Sequence, residues 1–419
     1  MALLAKYIVQ GGNKLEGEIR LKGAKNSVLP IIAATILNEG ESVIHNVPNI
    51  SDVKVMIDIL KYIGCYVKME GDTLTIDTKN VNSSEIPESF VRKMRSSIIF
   101  LGAMVSRFGH TKISYPGGCE IGPRPIDLHL KSLSQMGVNI EETHGYIKCN
   151  KQHNKACEIN LDFPSVGATE NVMLAAVKTN GVTKIYNCAK EPEITDLANF
   201  LNSMGADIKG AGNSCIEIHG VNKLHDVEHR IIPDRIAIGT YLVAGAITNG
   251  RIIIDDIIPS HINSIVSKLR ETGCEIEYIN NKVQLIAPKT IHSIDVIKTL
   301  PHPGFPTDMQ AQMMALMTLA NGACIINENI FENRFKHCEE LIRMGANINV
   351  NGKLAVIRGV DKLMGAKVES FDLRGGAALV LAGLAADEYT EIDSIHHIDR
   401  GYEDMEKVLT SLGANIIRA

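Results

Sequence analysis

The chain has 419 residues, 45% of them hydrophobic, and a formal net charge of −5, a length that suits roughly two or three domains with packed cores. The acidic balance excludes a global attraction for nucleic acid or anionic membrane, so an anionic ligand needs a local cluster of arginines and lysines. The 9 cysteines are scattered and include no Cys-x-x-Cys pair, which argues against a disulfide framework or a thiolate zinc site.

The N-terminus, Met-Ala-Leu-Leu-Ala-Lys-Tyr-Ile, carries neither a charged leader nor an apolar segment of signal-peptide length. The longest apolar run, residues 28–37, falls far short of the roughly twenty residues that span a bilayer. A cytoplasmic protein with no transmembrane helix is expected.

A Leu-x-x-x-Gly signature recurs along the chain at Leu60 to Gly64, Leu133 to Gly137, Leu201 to Gly205, Leu269 to Gly273, Leu341 to Gly345 and Leu409 to Gly413. The interval is roughly 70 residues, too long for a solenoid repeat. Each copy ends a segment of helical period; in the first, Val53, Met56, Ile57 and Leu60 form the apolar stripe. The glycine suits a helix C-cap, and strand-like alternation follows it. Between these copies an apolar helix meets a glycine turn and a strand, as at Asn249-Gly250 and Asn321-Gly322. The unit therefore reads as strand, helix, strand, helix, strand, strand, and two domains of three units each is the economical arrangement. The boundary falls near the charged, proline-containing segment at residues 226–235. The strand around residues 7–10 suits either half; placed in the second, it makes two crossings between domains, which favours hinge closure around a cleft.

Taken in chain order, the candidate chemistry begins where Lys25 and Asn26 open the first apolar helix, since a helix N-terminus beside a lysine suits an anion. In Tyr115-Pro-Gly-Gly-Cys-Glu-Ile-Gly-Pro-Arg-Pro125 the glycines and prolines put Cys119 on a constrained loop. The other cysteines read as small buried hydrophobes. Arg124 favours the Cys119 thiolate and Glu120 opposes it. Asp308 follows the proline-rich stretch at residues 301–306, at the first turn of an apolar helix, where an aspartate also serves to satisfy helix donors. Arg334, Arg374 and Arg400 each sit beside turn or cap residues. Each alone reads as a surface salt-bridge residue, but with Arg95 and Arg124 they supply charge for a substrate with two or three negative charges.

These motifs closely resemble the UDP-N-acetylglucosamine enolpyruvyl transferases of bacterial cell-wall synthesis, over essentially the whole chain. The match rests on Gly-Ala-Lys-Asn at 23–26, Met94-Arg95, Pro-Gly-Gly-Cys-x-Ile-Gly-x-Arg-Pro at 116–125, Asp127-Leu-His129, Ser-Val-Gly-Ala-Thr at 165–169 and Glu-Pro-Glu-Ile at 191–194. It continues through Phe-Pro-Thr-Asp-Met-Gln at 305–310, Ile-Phe-Glu-Asn-Arg at 330–334, Asp-Leu-Arg at 372–374 and His-Ile-Asp-Arg-Gly-Tyr at 397–402. The resemblance implies an α/β (α+β) fold, a two-domain inside-out α/β barrel with three βαβαββ repeats per domain. The domains would be residues 22–231, with the Cys119 loop, and residues 1–21 plus 232–419, with Asp308 and Arg400.

It also implies a reaction, the first committed step of peptidoglycan precursor synthesis. The enolpyruvyl group of phosphoenolpyruvate passes to the 3′-hydroxyl of UDP-N-acetylglucosamine and phosphate is released, with no cofactor and no metal; His396 and His397 read as strand or turn histidines. By the same resemblance Cys119 is the acid of the addition and a target for adduct formation, and Asp308 is the base near the 3′-hydroxyl. Lys25, Arg124 and Arg400 hold phosphoenolpyruvate, and Arg95, Arg334 and Arg374 line the site. Asn26 and Asp308 contact the sugar, while Asp127, Val166, Gly167 and Ile330 border the nucleotide. Because these residues divide between two domains, nucleotide-sugar binding is expected to close them and fold the Cys119 loop over the reactants. Fosfomycin sensitivity is implied as well.

One position departs from the pattern. Some relatives carry a basic residue two places before the serine of Ser-Val-Gly-Ala-Thr, where this chain has Phe163 followed by Pro164; Phe163 packs near the uracil or serves the loop. The rival readings are the shikimate-pathway enolpyruvyl transferase, whose pattern lacks the Pro-Gly-Gly-Cys loop, a non-catalytic nucleotide-sugar-binding paralogue, and a clamp-like nucleic-acid binder, which the acidic balance opposes. The expected partners are the two small-molecule substrates, with no nucleic acid and no membrane; the sequence sets no oligomeric state.

Overall fold

The computed structural model describes residues 5–115, 126–153 and 155–419. The chain divides into two compact units, the first within residues 23–232 and the second combining residues 5–22 with 233–419. Among the described residues the strands assemble into six four-stranded sheets. The third repeat shows the common plan. Strand Glu158–Asn160 runs parallel to Val182–Tyr186, which pairs antiparallel with Cys215–His219, which pairs in turn with Asp207–Lys209. Helices Val166–Ala176 and Pro192–Ser203 connect these strands in the order strand, helix, strand, helix, strand, strand.

Strands distant in sequence complete three of the sheets. In the first unit Val227–Arg230 pairs parallel with Glu41–His45. In the second, Glu16–Arg20 pairs parallel with Arg251–Asp255. The N-terminal strand Tyr7–Gln10 inserts between Tyr389–Asp393 and Asn415–Arg418, antiparallel to both.

The helices fall into two classes for reasons visible in their composition. Helices such as Arg235–Ile247 and Leu373–Ala385 are apolar or small around nearly their whole circumference, and nearly every residue is buried. Others have one apolar stripe. Ser51–Tyr62 buries Val53, Met56, Ile59 and Leu60, so Ile59 completes the stripe expected of Ile57, which is only half-buried. Each unit has its own apolar core, formed where these helices pack. No helix among the described residues is long and apolar enough to cross a membrane.

The six recurring glycines share one conformation. Gly64, Gly137, Gly205, Gly273, Gly345 and Gly413 have φ of 100, 86, 103, 91, 94 and 99°. A left-handed residue just past a helix ends it and turns the chain into the next strand, and glycine adopts that conformation without a Cβ penalty. Gly102 has a different task. A Cβ there would lie 2.2 Å from the carbonyl oxygen of Asn171, so only glycine lets helix Phe100–Phe108 approach Val166–Ala176 this closely.

Candidate active site

In the first unit Lys25 begins helix Lys25–Ala34 and is buried, with its ammonium 2.8 Å from the Asp52 carboxylate. Gly23, two residues earlier, lies against the Asn46 backbone, where a Cβ would meet the carbonyl oxygen at 2.3 Å. The Gly-Ala-Lys sequence thus sets the direction from which the helix begins. Beneath it, Asp196 accepts from Ser27 Oγ and from the Ile232 amide at 3.3 Å, and its other oxygen lies 2.9 Å from His229 Nε2. Ser27 and His229 both face the carboxylate, so the three form a brace for the helix that bears Lys25 and Asn26, and not a nucleophilic triad.

A second cluster in this unit surrounds His129. Asp127 is exposed at the first position of helix Asp127–Gln135, and Arg95 opens the 3₁₀ turn Arg95–Ile99. Burial, then the Arg95 charge, push His129 down to about 4, against the opposing pull of Asp127. Val166 and Gly167 begin helix Val166–Ala176, whose N-cap Ser165 accepts from the Ala168 amide. Phe163 is 42% exposed on the preceding loop. Deeper, burial and the Glu193 and Glu191 carboxylates push Glu170 well above the usual range. The sequence reading passed over Glu170; the signal available was the Glu-Pro-Glu run at 191–193, whose carboxylates face it.

The second unit brings Asp308, Arg334 and Arg374 together. Arg334 Nη2 donates to Asp308 Oδ1 at 2.8 Å and Arg374 Nη2 to Oδ2 at 3.0 Å, with both arginine side chains only 4% exposed. Asp308 lies in the 3₁₀ turn Thr307–Met309 and spends its carboxylate on these guanidiniums, where the sequence also allowed a helix cap. Burial alone would raise its carboxyl, but Arg374 and Arg334 override that and hold it well below the usual aspartate value. Asp372 caps helix Leu373–Ala385 by accepting from the amides of Arg374 and Gly375, both at 2.9 Å, which fixes where the Arg374 side chain begins.

Two residues not singled out by sequence hold this arrangement. Glu328 is fully buried and accepts from Thr299 Oγ1, Thr307 Oγ1 and the amides of Ile330 and Phe331 at 2.9 to 3.1 Å. It ties the turn bearing Asp308 to the loop bearing Ile330. Gln312 donates to the Asp308 carbonyl at 2.9 Å and to Thr240 Oγ1 at 3.0 Å. Gln312 stands at the head of the apolar run at residues 313–317, a contrast visible in the sequence, whereas Glu328 lies between Asn327 and Asn329 and carries no such signal. Arg400 ends the 3₁₀ helix Ile395–Arg400, which also holds His396 and His397, and its neighbour Asp399 is clamped by Arg418 at 2.8 and 2.6 Å. Cys119, Arg124 and the rest of the Pro-Gly-Gly-Cys motif lie outside the described residues. No group of three or more metal-ligating side chains occurs among the described residues.

A carboxylate held ionised between two buried arginines places one acceptor and two cationic donors side by side, an arrangement suited to a polar, anionic substrate, and comparison with known proteins gives the chain a family. The sequence profile of EPSP synthase (3-phosphoshikimate 1-carboxyvinyltransferase) matches residues 9–409. The chain belongs to this enolpyruvyl transferase family. Within it, UDP-N-acetylglucosamine 1-carboxyvinyltransferase 2 of Caldanaerobacter subterraneus subsp. tengcongensis is 55% identical over 99% of this chain and 100% of its own length. UDP-N-acetylglucosamine 1-carboxyvinyltransferase 1 of Symbiobacterium thermophilum is 52% identical over 99% and 95%. Among solved structures, the enolpyruvyl transferase NikO from Streptomyces tendae superposes with a TM-score of 0.89 at 26% identity, covering 99% of each chain. EPSP synthase from Acinetobacter baumannii shares the fold, with a TM-score of 0.74 at 17% identity over 99% of this chain and 100% of its own.

Proposed function

We propose that this enolpyruvyl transferase moves the enolpyruvyl group of phosphoenolpyruvate to the 3′-hydroxyl of UDP-N-acetylglucosamine, releasing phosphate, in the cytoplasmic synthesis of peptidoglycan precursors. The observation that carries the reading is the full-length identity of 50 to 55% to relatives named for UDP-N-acetylglucosamine. In the addition step the 3′-oxygen bonds to C2 of phosphoenolpyruvate, its proton passes to Asp308, and the Cys119 thiol delivers a proton to C3 as the C2–C3 double bond opens. In the elimination the Cys119 thiolate takes a proton from C3, the double bond re-forms, and the bond from C2 to the phosphate oxygen breaks. Its electron pair stays on the departing phosphate, which takes up the proton held by Asp308.

The Arg334 and Arg374 fork supports the base role by keeping the Asp308 carboxylate ionised. The same fork lowers its intrinsic basicity, so proton transfer requires the substrate to draw those guanidiniums away or share them. Lys25, Arg124 and Arg400 hold the phosphoenolpyruvate charges and stabilise the departing phosphate. Asn26 and Asp308 contact the sugar, Arg95, Arg334 and Arg374 line the site, and Asp127, Val166, Gly167 and Ile330 border the nucleotide.

Phosphate release from phosphoenolpyruvate, measured with UDP-N-acetylglucosamine, with shikimate 3-phosphate and with no acceptor, tests the reading. Release is expected only with the nucleotide sugar. Release with shikimate 3-phosphate would favour the shikimate-pathway reaction, and binding of the nucleotide sugar without release would favour a non-catalytic sensor.

A further inference from the structure

We propose that Asn171 is a positioning residue that fixes His129 as its neutral Nε2–H tautomer and so presents that N–H beside Gly167 as an uncharged donor to the nucleotide sugar. The donor half rests on the function proposed above; the tautomer half does not.

Asn171 is fully buried in helix Val166–Ala176. Its Oδ1 accepts from the Gly102 amide at 2.7 Å and its Nδ2 donates to the Ile98 carbonyl at 3.1 Å. A backbone amide can only donate and a carbonyl can only accept, so these two contacts leave the side-chain amide one orientation. Its second Nδ2 hydrogen then points at His129 Nδ1, 2.7 Å away. That ring nitrogen must accept. An imidazolium has no acceptor, and the Nδ1–H tautomer would set two donors face to face. The neutral ring with its proton on Nε2 is the one form that satisfies all three contacts.

The surroundings agree with a neutral ring. His129 is 7% exposed, and burial and the Arg95 charge disfavour its cation. Among the described residues Nε2 has no hydrogen-bond partner. It lies against Gly167, where a Cβ would come within 2.9 Å of Cε1 and 3.2 Å of Nε2. The first-turn amides of Val166 and Gly167 likewise have no acceptor among the described residues. The ring N–H thus adds a third donor to that helix start without adding charge.

The test is a long-range ¹H–¹⁵N correlation spectrum of the full-length protein labelled on histidine, with His129 assigned by its loss in His129→Gln. The expected spectrum shows Nε2 protonated and Nδ1 bare at neutral pH. A proton on Nδ1, or on both nitrogens, overturns the tautomer. UDP-N-acetylglucosamine at saturation, its binding confirmed by calorimetry, is expected to shift the Nε2–H resonance, and an unmoved resonance overturns the donor role. If calorimetry detects no binding, the function proposed above fails and the donor role with it, while the spectrum of the free protein still decides the Asn171 half. Asn171→Asp replaces the donor with an acceptor. It is expected to put a proton on Nδ1 and to raise KM for the nucleotide sugar about tenfold, with a smaller change in kcat. A folded Asn171→Asp protein whose His129 keeps a bare Nδ1 contradicts the proposal.

Discussion

Arg374 Nη2 donates to Asp308 Oδ2 at 3.0 Å across 66 residues of chain, and with Arg334 it makes Asp308 a carboxylate that stays ionised far into acid. The pH behaviour of the protein follows from this fork. Burial opposes the charge and two guanidiniums sustain it, so removing one guanidinium lets burial count for more. Arg374→Gln is expected to raise the Asp308 pKa and to move the acid limb of the kcat profile toward neutral pH. An unmoved limb would mean that Asp308 does not act in the rate-limiting step.

The same depressed pKa contributes to stability. The folded value lies below the unfolded value of about 3.9, so the contribution is fully present above that pH and is lost as the pH falls through the folded value. Asp308→Asn is therefore expected to lower Tm at pH 7 and to differ less from wild type in strong acid. Thermal denaturation across pH checks this.

Glu328 accepts four hydrogen bonds from groups on both sides of the Asp308 turn. Glu328→Ala leaves those donors without an acceptor and is expected to cost roughly 1–3 kcal/mol of stability. Glu328→Gln keeps one acceptor oxygen and should lose less. Denaturant midpoints for the two variants, with kcat/KM measured beside them, separate loss of the fold from displacement of Asp308.

Gly102→Ala puts a methyl group where the Asn171 carbonyl oxygen stands 2.2 Å away. The helices must part, at an expected cost of about 1–3 kcal/mol. Calorimetric unfolding should show a Tm lowered by several degrees, and an unchanged Tm would mean the helices separate freely.

Asp52→Asn removes the carboxylate 2.8 Å from the Lys25 ammonium. Loss of one partner from a buried ion pair is expected to cost on the order of 3 kcal/mol. The KM for phosphoenolpyruvate should rise as the ammonium loses its fixed position, which steady-state kinetics reads directly.

The architecture was legible wherever it depends on local chain. Gly64 and its five counterparts end helices because a left-handed residue is needed there, and the same local pattern recurs along the chain. Nothing near residue 7 in sequence shows that strand Tyr7–Gln10 inserts between Tyr389–Asp393 and Asn415–Arg418, since that pairing is made at the far end of the chain. The candidate site divides in the same way. Arg334 and Arg374 were visible as arginines beside cap residues, but their convergence on Asp308 depends on packing between distant helices and loops. Glu328, Asn171 and Glu170 were passed over because a buried polar residue has no periodic signature, and only its partners reveal its task.

The most direct test of the account is the reaction of phosphoenolpyruvate with UDP-N-acetylglucosamine in D₂O, with the nucleotide-sugar product examined by proton NMR and mass spectrometry. Addition and elimination through an exchangeable acid predict a 3′-enolpyruvyl ether carrying solvent deuterium in its vinyl group. Product formation should fall by about 10²–10⁴ in Cys119→Ala. A wild-type protein that forms no such ether, or forms it without deuterium, would contradict the account.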